Sequence, residues 1–375
     1  MTAAAGVDRQ QLRPKTRLAS LDAFRGMTIA AMILVNDPGD RRHIYWPLEH
    51  ANWNGWTPTD LIFPFFLFIV GVSLVLSFRS RSAQGATRSE LILHSAKRSA
   101  ILFGLGVLLY AYPRFDFHTT RIPGVLQRIA IVNLATSLLI IYAGRTARYV
   151  AAAAILLGYW VLMTRVPVPG YGAGILTMDG SLASYIDRAL LYNHLEIAHR
   201  FDPEGVLSSI PAIATCLFGV FAGECILSRT GAQLIRRLLA SALALTTLGY
   251  AWSFWFPLNK KLWTSSYVLF TAGVALGLVS LCYWVVEVRG WRKWVEPFVW
   301  LGVNPLAIYF LASFVFEVIG HPLGGVRLKE VVYQHCYAPY FGNPYSASLF
   351  YAITYLLVFW ILAWTLYQKK VLIRI

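Results

Sequence analysis

Apolar residues in this chain come in long blocks rather than at every third or fourth position. Such blocks recur at about 20–37, 58–78, 93–112, 122–143, 149–165, 206–228, 234–256, 263–286, 297–319 and 346–368. A helix that crosses a ~30 Å hydrocarbon core needs about 18 or more predominantly apolar residues. A barrel would show alternating segments of about ten residues instead, and the chain has none of that pattern. In lipid each backbone N–H and C=O needs an internal partner, which leaves helices as the solution. The pattern predicts an all-α polytopic bundle of about ten transmembrane helices with no extra-membrane domain. Residues 1–17 are polar and basic and read as a disordered cytoplasmic tail, not as a signal peptide. Residues 18–375 read as a single transmembrane domain.

Composition agrees with the pattern. The 375 residues are 57% hydrophobic and only 14% charged, against about 25% charged in soluble domains. The formal charge of +15 would suggest nucleic acid on a soluble protein. Here Lys and Arg gather in short connections between apolar blocks, which is a signal of membrane orientation. With both termini inside, inner segments hold about 20 of these cations and the longer outer segments about 11. The expected location is a bacterial-type inner membrane with both termini cytoplasmic, and no nucleic-acid partner is expected. The four Cys show no paired spacing, so neither a disulfide framework nor a metal site is expected.

Outer connections 38–57, 166–205 and 320–345 are rich in Gly, Pro, Tyr, Trp, Asn and His, and every His except His94 falls on that side. Polar groups inside spans are costly and are often functional or paired. Arg25 lies near the inner end of the first span, three residues after Asp22. Arg128 lies about 9 Å into the fourth span from the outer side. Asp60 enters the second span at a similar depth and is the expected partner of Arg128, with a substrate contact by either as the alternative. Asn304 and Pro305 interrupt the ninth span, where a freed carbonyl and an amide can face a cavity.

The densest polar cluster is the loop after the first span, with Asn36, His50, Trp53, Asn54, Trp56 and Asp60 and almost no aliphatic residues. Such a segment cannot sit in lipid and is expected to fold back over the bundle. His50 is its one strong catalytic group. The chain has no G-x-S-x-G, H-E-x-x-H or P-loop pattern.

The run from Arg17 through Ser20, Asp22 and Arg25, then Val35-Asn36, then His50-Ala51, Trp53-Asn54-Gly55, Thr57, Asp60 and Pro64 resembles the heparan-α-glucosaminide N-acetyltransferase family and its bacterial relatives. Similar blocks follow at Ile122 to Arg128, Phe201 to Gly205, and Asn259-Lys260 to Tyr267. The resemblance runs over nearly the whole chain. It implies transfer of acetyl groups from cytosolic acetyl-CoA to the amine of a glucosamine on the far side of the membrane. It places the active-site His at His50 and its partner Asn at Asn36, implies no metal, and implies a homodimer. The chain offers no counterpart of the luminal domain that precedes the membrane part in the family's lysosomal member.

Read onto the chemistry, a neutral imidazole at His50 can act as general base or can carry the acetyl group itself. Asn36 can orient the ring or donate to an oxyanion. Trp53 and Trp56 offer flat faces to a sugar. Arg25, Asn54, Asp60, Arg128, Asn259, Lys260 and Asn304 complete the expected contacts to substrate or acetyl-CoA, with membrane lipid as the surrounding partner. Two other functions remain open on the residues alone. One is a sugar or amino-sugar permease; the other is an O-acetyltransferase acting on a cell-envelope saccharide.

Overall fold

Helix follows helix along almost the whole of the computed structural model, which describes residues 18–373. The expected tail at 1–17 lies outside the described residues. The helices are α1 (Ala19–Asn36), α2 (Ile62–Ala83), α3 (Arg88–Ala111), α4 (Val125–Tyr142), α5 (Arg145–Arg165), α6 (Leu182–Leu191) and α7 (Ser209–Ser228). They continue as α8 (Gly231–Trp252), α9 (Ser265–Tyr283), α10 (Glu296–Val303), α11 (Pro305–Gly320), α12 (Leu328–Cys336) and α13 (Pro344–Gln368). Strand is confined to two hairpins of two residues per arm, Pro167–Val168 with Gly172–Ala173 and Pro322–Leu323 with Val326–Arg327. The protein is an all-α polytopic membrane protein.

Eight helices among the described residues are long and apolar enough to cross a bilayer. The pair α10 and α11 is long and apolar enough only when taken together, and it is bent by 80° at Asn304, where Pro305 cannot donate to the helix ladder. The first predicted span forms α1 but falls outside these counts. Asp22 and Arg25 lower its apolarity, and the residues around them are buried against neighbouring helices. Each of the ten predicted spans therefore has a helical counterpart, one of them broken and one only moderately apolar.

Close packing brings α1 onto α10. A methyl group added at Gly26 would collide with the Phe298 carbonyl, and one at Gly302 with the Asp22 carbonyl. Small residues let membrane helices approach backbone to backbone in this way. Gly71 of α2 and Gly219 of α7 make a second crossing of the same kind.

Successive crossings alternate in direction. The long segments 37–61, 112–124, 166–208, 253–264 and 321–343 thus emerge at one end of the bundle. The short basic connections and the described C-terminal residues lie at the other. Short elements at the long-loop end, including α6, α12 and the turns Trp46–Leu48 and Pro58–Leu61, form a cap.

Candidate active site

The cap is built on a local hydrogen-bond motif. Thr57 precedes the turn Pro58–Leu61, and its N–H donates to Asp60 Oδ2 at 3.0 Å in a capping box. The Ala51 N–H donates to the same oxygen at 3.0 Å. Asp60 is 1% exposed, and these bonds fold residues 50–60 into a closed loop. They also aim the other carboxylate oxygen at His50, whose Nδ1 lies 2.8 Å from Asp60 Oδ1. From 210 positions away, Lys260 joins them. Its Nζ stands 3.1 Å from His50 Nδ1, 3.4 Å from Nε2 and 3.6 Å from Asp60 Oδ1.

With Nδ1–H directed at a carboxylate, Nε2 carries the lone pair. Burial of the ring's inner edge lowers the His50 pKa below its ordinary value, Lys260 lowers it further, and Asp60 opposes both. The outer edge remains open, since the side chain is 45% exposed. Burial likewise lowers the pKa of Lys260, and Asp60 and Glu204 act against that shift. The result is a carboxylate-oriented imidazole with a cation beside it, suited to base or nucleophilic chemistry at Nε2.

The rest of the loop is anchored to the segment 253–264. Gly55 N–H donates to the Leu258 carbonyl at 2.8 Å, and Asn259 Nδ2 to Asn54 Oδ1 at 3.0 Å. Lys261 Nζ donates to the Asn52 carbonyl at 2.8 Å. Trp53 Nε1 donates to the Leu176 carbonyl at 2.7 Å, and its ring packs edge-on against Phe201 with Lys261 over it. Trp56 packs against Phe270 of α9. Asn54, Asn259 and Trp53 thus tie the loop in place.

Several predicted site residues lie elsewhere. Asn36 is the last residue of α1 and is exposed, and the His50 ring bonds to Asp60 rather than to it. Arg25 binds Asp22, Ser73 Oγ and the Gly302 carbonyl near the basic end. Asn304 binds the Val371 carbonyl and the Ile373 N–H, so it fastens the C-terminal segment at the α10–α11 bend. The expected Asp60–Arg128 bridge is corrected. Asp60 is taken by His50, Ala51, Thr57 and Lys260. Arg128, 1% exposed, instead donates to the Pro203 carbonyl at 2.9 Å and to Ser208 and Ser209. Its guanidinium lies 4.9 Å over the Trp263 ring.

A second polar centre was not visible in the sequence. Arg121 donates to both oxygens of Asp202 at 2.8 and 2.7 Å and to Glu204 at 2.6 Å, and it lies 3.2 Å from Glu196. Glu196, Asp202 and Glu204 could hold a metal by spacing, with oxygens within 4.8 Å of one another. Arg121 already supplies a cation to all three, so the donor set is accounted for without an ion. A pocket of about 430 Å³ opens beside it, lined by Tyr110, Thr119, Arg121, Asn193, Glu196 and His199 among others. The sequence signal available for Arg121 was its place just before the Ile122-to-Arg128 block.

The basic end has its own pocket of about 290 Å³, whose lining includes Arg79, Ser82, Arg88, Arg148 and Glu224. Between it and Arg128, α3 and α4 carry buried polar atoms without protein partners: Ser95 Oγ, Arg98 Nε, both amide atoms of Gln127, Asn133 Oδ1 and Ser137 Oγ.

The family model described as heparan-alpha-glucosaminide N-acetyltransferase, catalytic, matches residues 17–256. That span contains His50, Asp60, Arg121, Arg128 and Glu204, and ends before Lys260. The human heparan-alpha-glucosaminide N-acetyltransferase is 32% identical over 361 residues, covering 80% of this chain and 53% of the human protein. The mouse enzyme of the same name is 31% identical over 353 residues, covering 78% of this chain and 53% of its own. The chain thus spans about half the length of the curated relatives it matches. With nearly two thirds of its residues inside the family model, this chain belongs to the heparan-alpha-glucosaminide N-acetyltransferase catalytic family.

Proposed function

We propose that the protein is a transmembrane acetyltransferase that takes acetyl groups from acetyl-CoA on the cytoplasmic side and delivers them to a glucosamine-type amine on the outer side. The observation that carries this reading is the Asp60–His50 pair, with the Lys260 ammonium beside it, at the long-loop end of a membrane bundle.

The rest of the molecule supports it. Acetyl-CoA is a large polyanion that cannot cross lipid. The pocket at the basic end offers the cations of Arg79 and Arg88 to its phosphates, while Arg148 there is paired with Glu224 at 2.7 Å. The partnerless polar atoms along α3 and α4 suit the amides and hydroxyl of a pantetheine arm threaded toward the other end.

At the far end, one ring atom serves two routes. In direct transfer the amine nitrogen bonds to the thioester carbon, His50 Nε2 takes the amine proton, and the C–S bond breaks. The imidazolium then returns its proton to the departing thiolate. In the covalent route Nε2 itself bonds to the carbonyl carbon and expels the thiolate; the amine then takes the acetyl group from the ring, and its proton passes through the freed Nε2 to the thiolate. Both yield CoA–SH and an N-acetyl sugar. In both, Lys260 faces the negative charge that develops on the carbonyl oxygen, a kind of stabilisation worth roughly 3 kcal/mol per donor.

The test is His50→Ala protein in liposomes, supplied with labelled acetyl-CoA and glucosamine. Acetyl transfer should fall at least ~100-fold with expression and thermal stability unchanged. Wild-type transfer by this variant ends the assignment of His50. Sugar flux by the wild-type protein without acetyl-CoA binding ends the enzyme reading in favour of a permease.

A further inference from the structure

An apolar gap among the helices is used by none of this chemistry. A groove of about 500 Å³ runs between α1, α2 and α9. One face of α1 lines it through Phe24, Met27, Thr28, Ala31, Leu34 and Val35, and one face of α9 through Leu278, Leu281 and Cys282, continued by Val285 in the turn that follows. From Phe24 to Val35 is about 17 Å along a helix, more than half the hydrocarbon thickness. Its lining is apolar except for two hydroxyls, and both are satisfied within the protein. Thr28 Oγ1 donates to the Phe24 carbonyl at 2.9 Å, and Thr59 Oγ1 to the Pro47 carbonyl at 3.0 Å. The groove therefore offers nothing to a polar ligand. Leu281 on its rim is 53% exposed, so it opens sideways into lipid. A hydrocarbon chain is its fitting occupant.

What distinguishes this groove from any lipid-facing crevice is its roof. Pro47 and Leu48 of one cap turn, and Pro58, Thr59 and Leu61 of the next, line its upper end. Asp60 belongs to the second of these turns, and His50 follows the first by two residues. The Thr59–Pro47 bond and the Thr57 Oγ1–Glu49 carbonyl bond at 2.6 Å clamp the turns together. A molecule whose tail fills the groove thus brings its head to the edge of the loop that holds the imidazole.

The geometry points to a lipid-linked amino sugar as the acceptor, its hydrocarbon tail in the α1–α2–α9 groove and its amine presented at His50. This rests on the acetyltransferase reading and narrows its acceptor class. The bilayer concentrates and aligns such a substrate, so tail binding lowers KM without altering the chemical step.

The experiment uses the full-length protein in nanodiscs with alkyl glucosaminides of one, eight and sixteen carbons. In the wild type, KM should fall at least tenfold from the shortest to the longest chain at similar kcat. Ala31→Trp and Leu278→Trp fill the groove away from the catalytic loop. Each should erase that preference while leaving turnover of free glucosamine within twofold. A second readout needs no turnover: a sixteen-carbon glucosaminide with a diazirine in its chain should label α1 and α9 in wild type and not in Ala31→Trp. A KM that ignores chain length, with no labelling, overturns the groove assignment and leaves the acetyltransferase reading standing. Labelling without any acetyl transfer does the reverse. A change in oligomeric state on filling the groove, with chain-length preference intact, assigns it to a second copy of the chain and also overturns the proposal.

Discussion

Protonation at His50 is set by burial and by its two close neighbours, Asp60 and Lys260. Burial disfavours the imidazolium, Lys260 adds to that, and Asp60 works against both. The net direction is downward from 6.5, so the neutral ring persists as pH falls into the weakly acidic range. The acid limb of kcat/KM for acetyl transfer should therefore lie below pH 6.5. Lys260→Met removes a cation that opposes ring protonation, so its limb should move to higher pH. Asp60→Asn should lower the rate by about 10²–10⁴-fold, because an amide does not hold the proton on Nδ1, and its residual activity should show a limb at lower pH still. A pH–rate series on the three proteins decides this. A wild-type limb above 6.5, or no movement in Lys260→Met, would refute the electrostatic account. His50 and Asp60 were legible because one short polar loop contains both. Lys260 was legible only through its motif. Arg121 was not, because its partners Asp202 and Glu204 lie 81 and 83 positions away and no local pattern links them. The misassigned Asp60–Arg128 pair has a similar cause. Depth in two spans says nothing of which way each side chain faces around its helix axis.

Spans could be read from the chain because a helix-long apolar block has few other uses. Their pairing could not, since it depends on where small residues meet across the sequence. Gly26 and Gly302 show how tight that requirement is. Each occupies the place where the other helix passes its backbone, so Gly302→Ala sets a methyl against the Asp22 carbonyl and Gly26→Ala sets one against the Phe298 carbonyl. Backbone cannot yield as a flexible side chain does. Each substitution should destabilise the protein by about 1–3 kcal/mol. The double variant should cost less than the sum, because both methyls force open one gap. Gly277→Ala is the control, since its new methyl would meet Ala242 Cβ at an ordinary 3.9 Å. Thermal unfolding in nanodiscs should rank the variants in that order. An unchanged midpoint for Gly302→Ala would mean that α1 and α10 are not held as closely as the structure shows. The bend at Asn304 belongs to this scale as well. The Asn-Pro pair marked the break in advance. The grip of Asn304 on Val371 and Ile373 had no local signature, because those partners lie more than 60 positions further on.

Taken whole, the bundle has two unlike ends. One gathers short connections, the C-terminal segment and a pocket with Arg79, Arg88 and Arg148. The other carries the cap, the Asp60–His50 pair and the carboxylates around Arg121. On the acetyltransferase reading, donor and acceptor meet the protein from opposite sides, and only the acetyl group changes compartment. The separation can be tested because the cap end carries its own orientation marker. Cys336 is a free, exposed thiol at the end of α12, whereas Cys216 and Cys282 are buried, and Cys225, half-buried near the other end, is removed for the test as Cys225→Ala. Vesicles in which a membrane-impermeant maleimide labels Cys336 present the His50 end to the bath. In those vesicles, glucosamine in the bath should be acetylated when acetyl-CoA is sealed inside, and not when acetyl-CoA is supplied outside alone. Vesicles with Cys336 protected should show the reverse requirement. If acetyl-CoA added on the Cys336 side sustains transfer in sealed vesicles, donor and acceptor share one entrance. The basic pocket and the unpartnered polar atoms along α3 and α4 would then have no part in delivering the acetyl group.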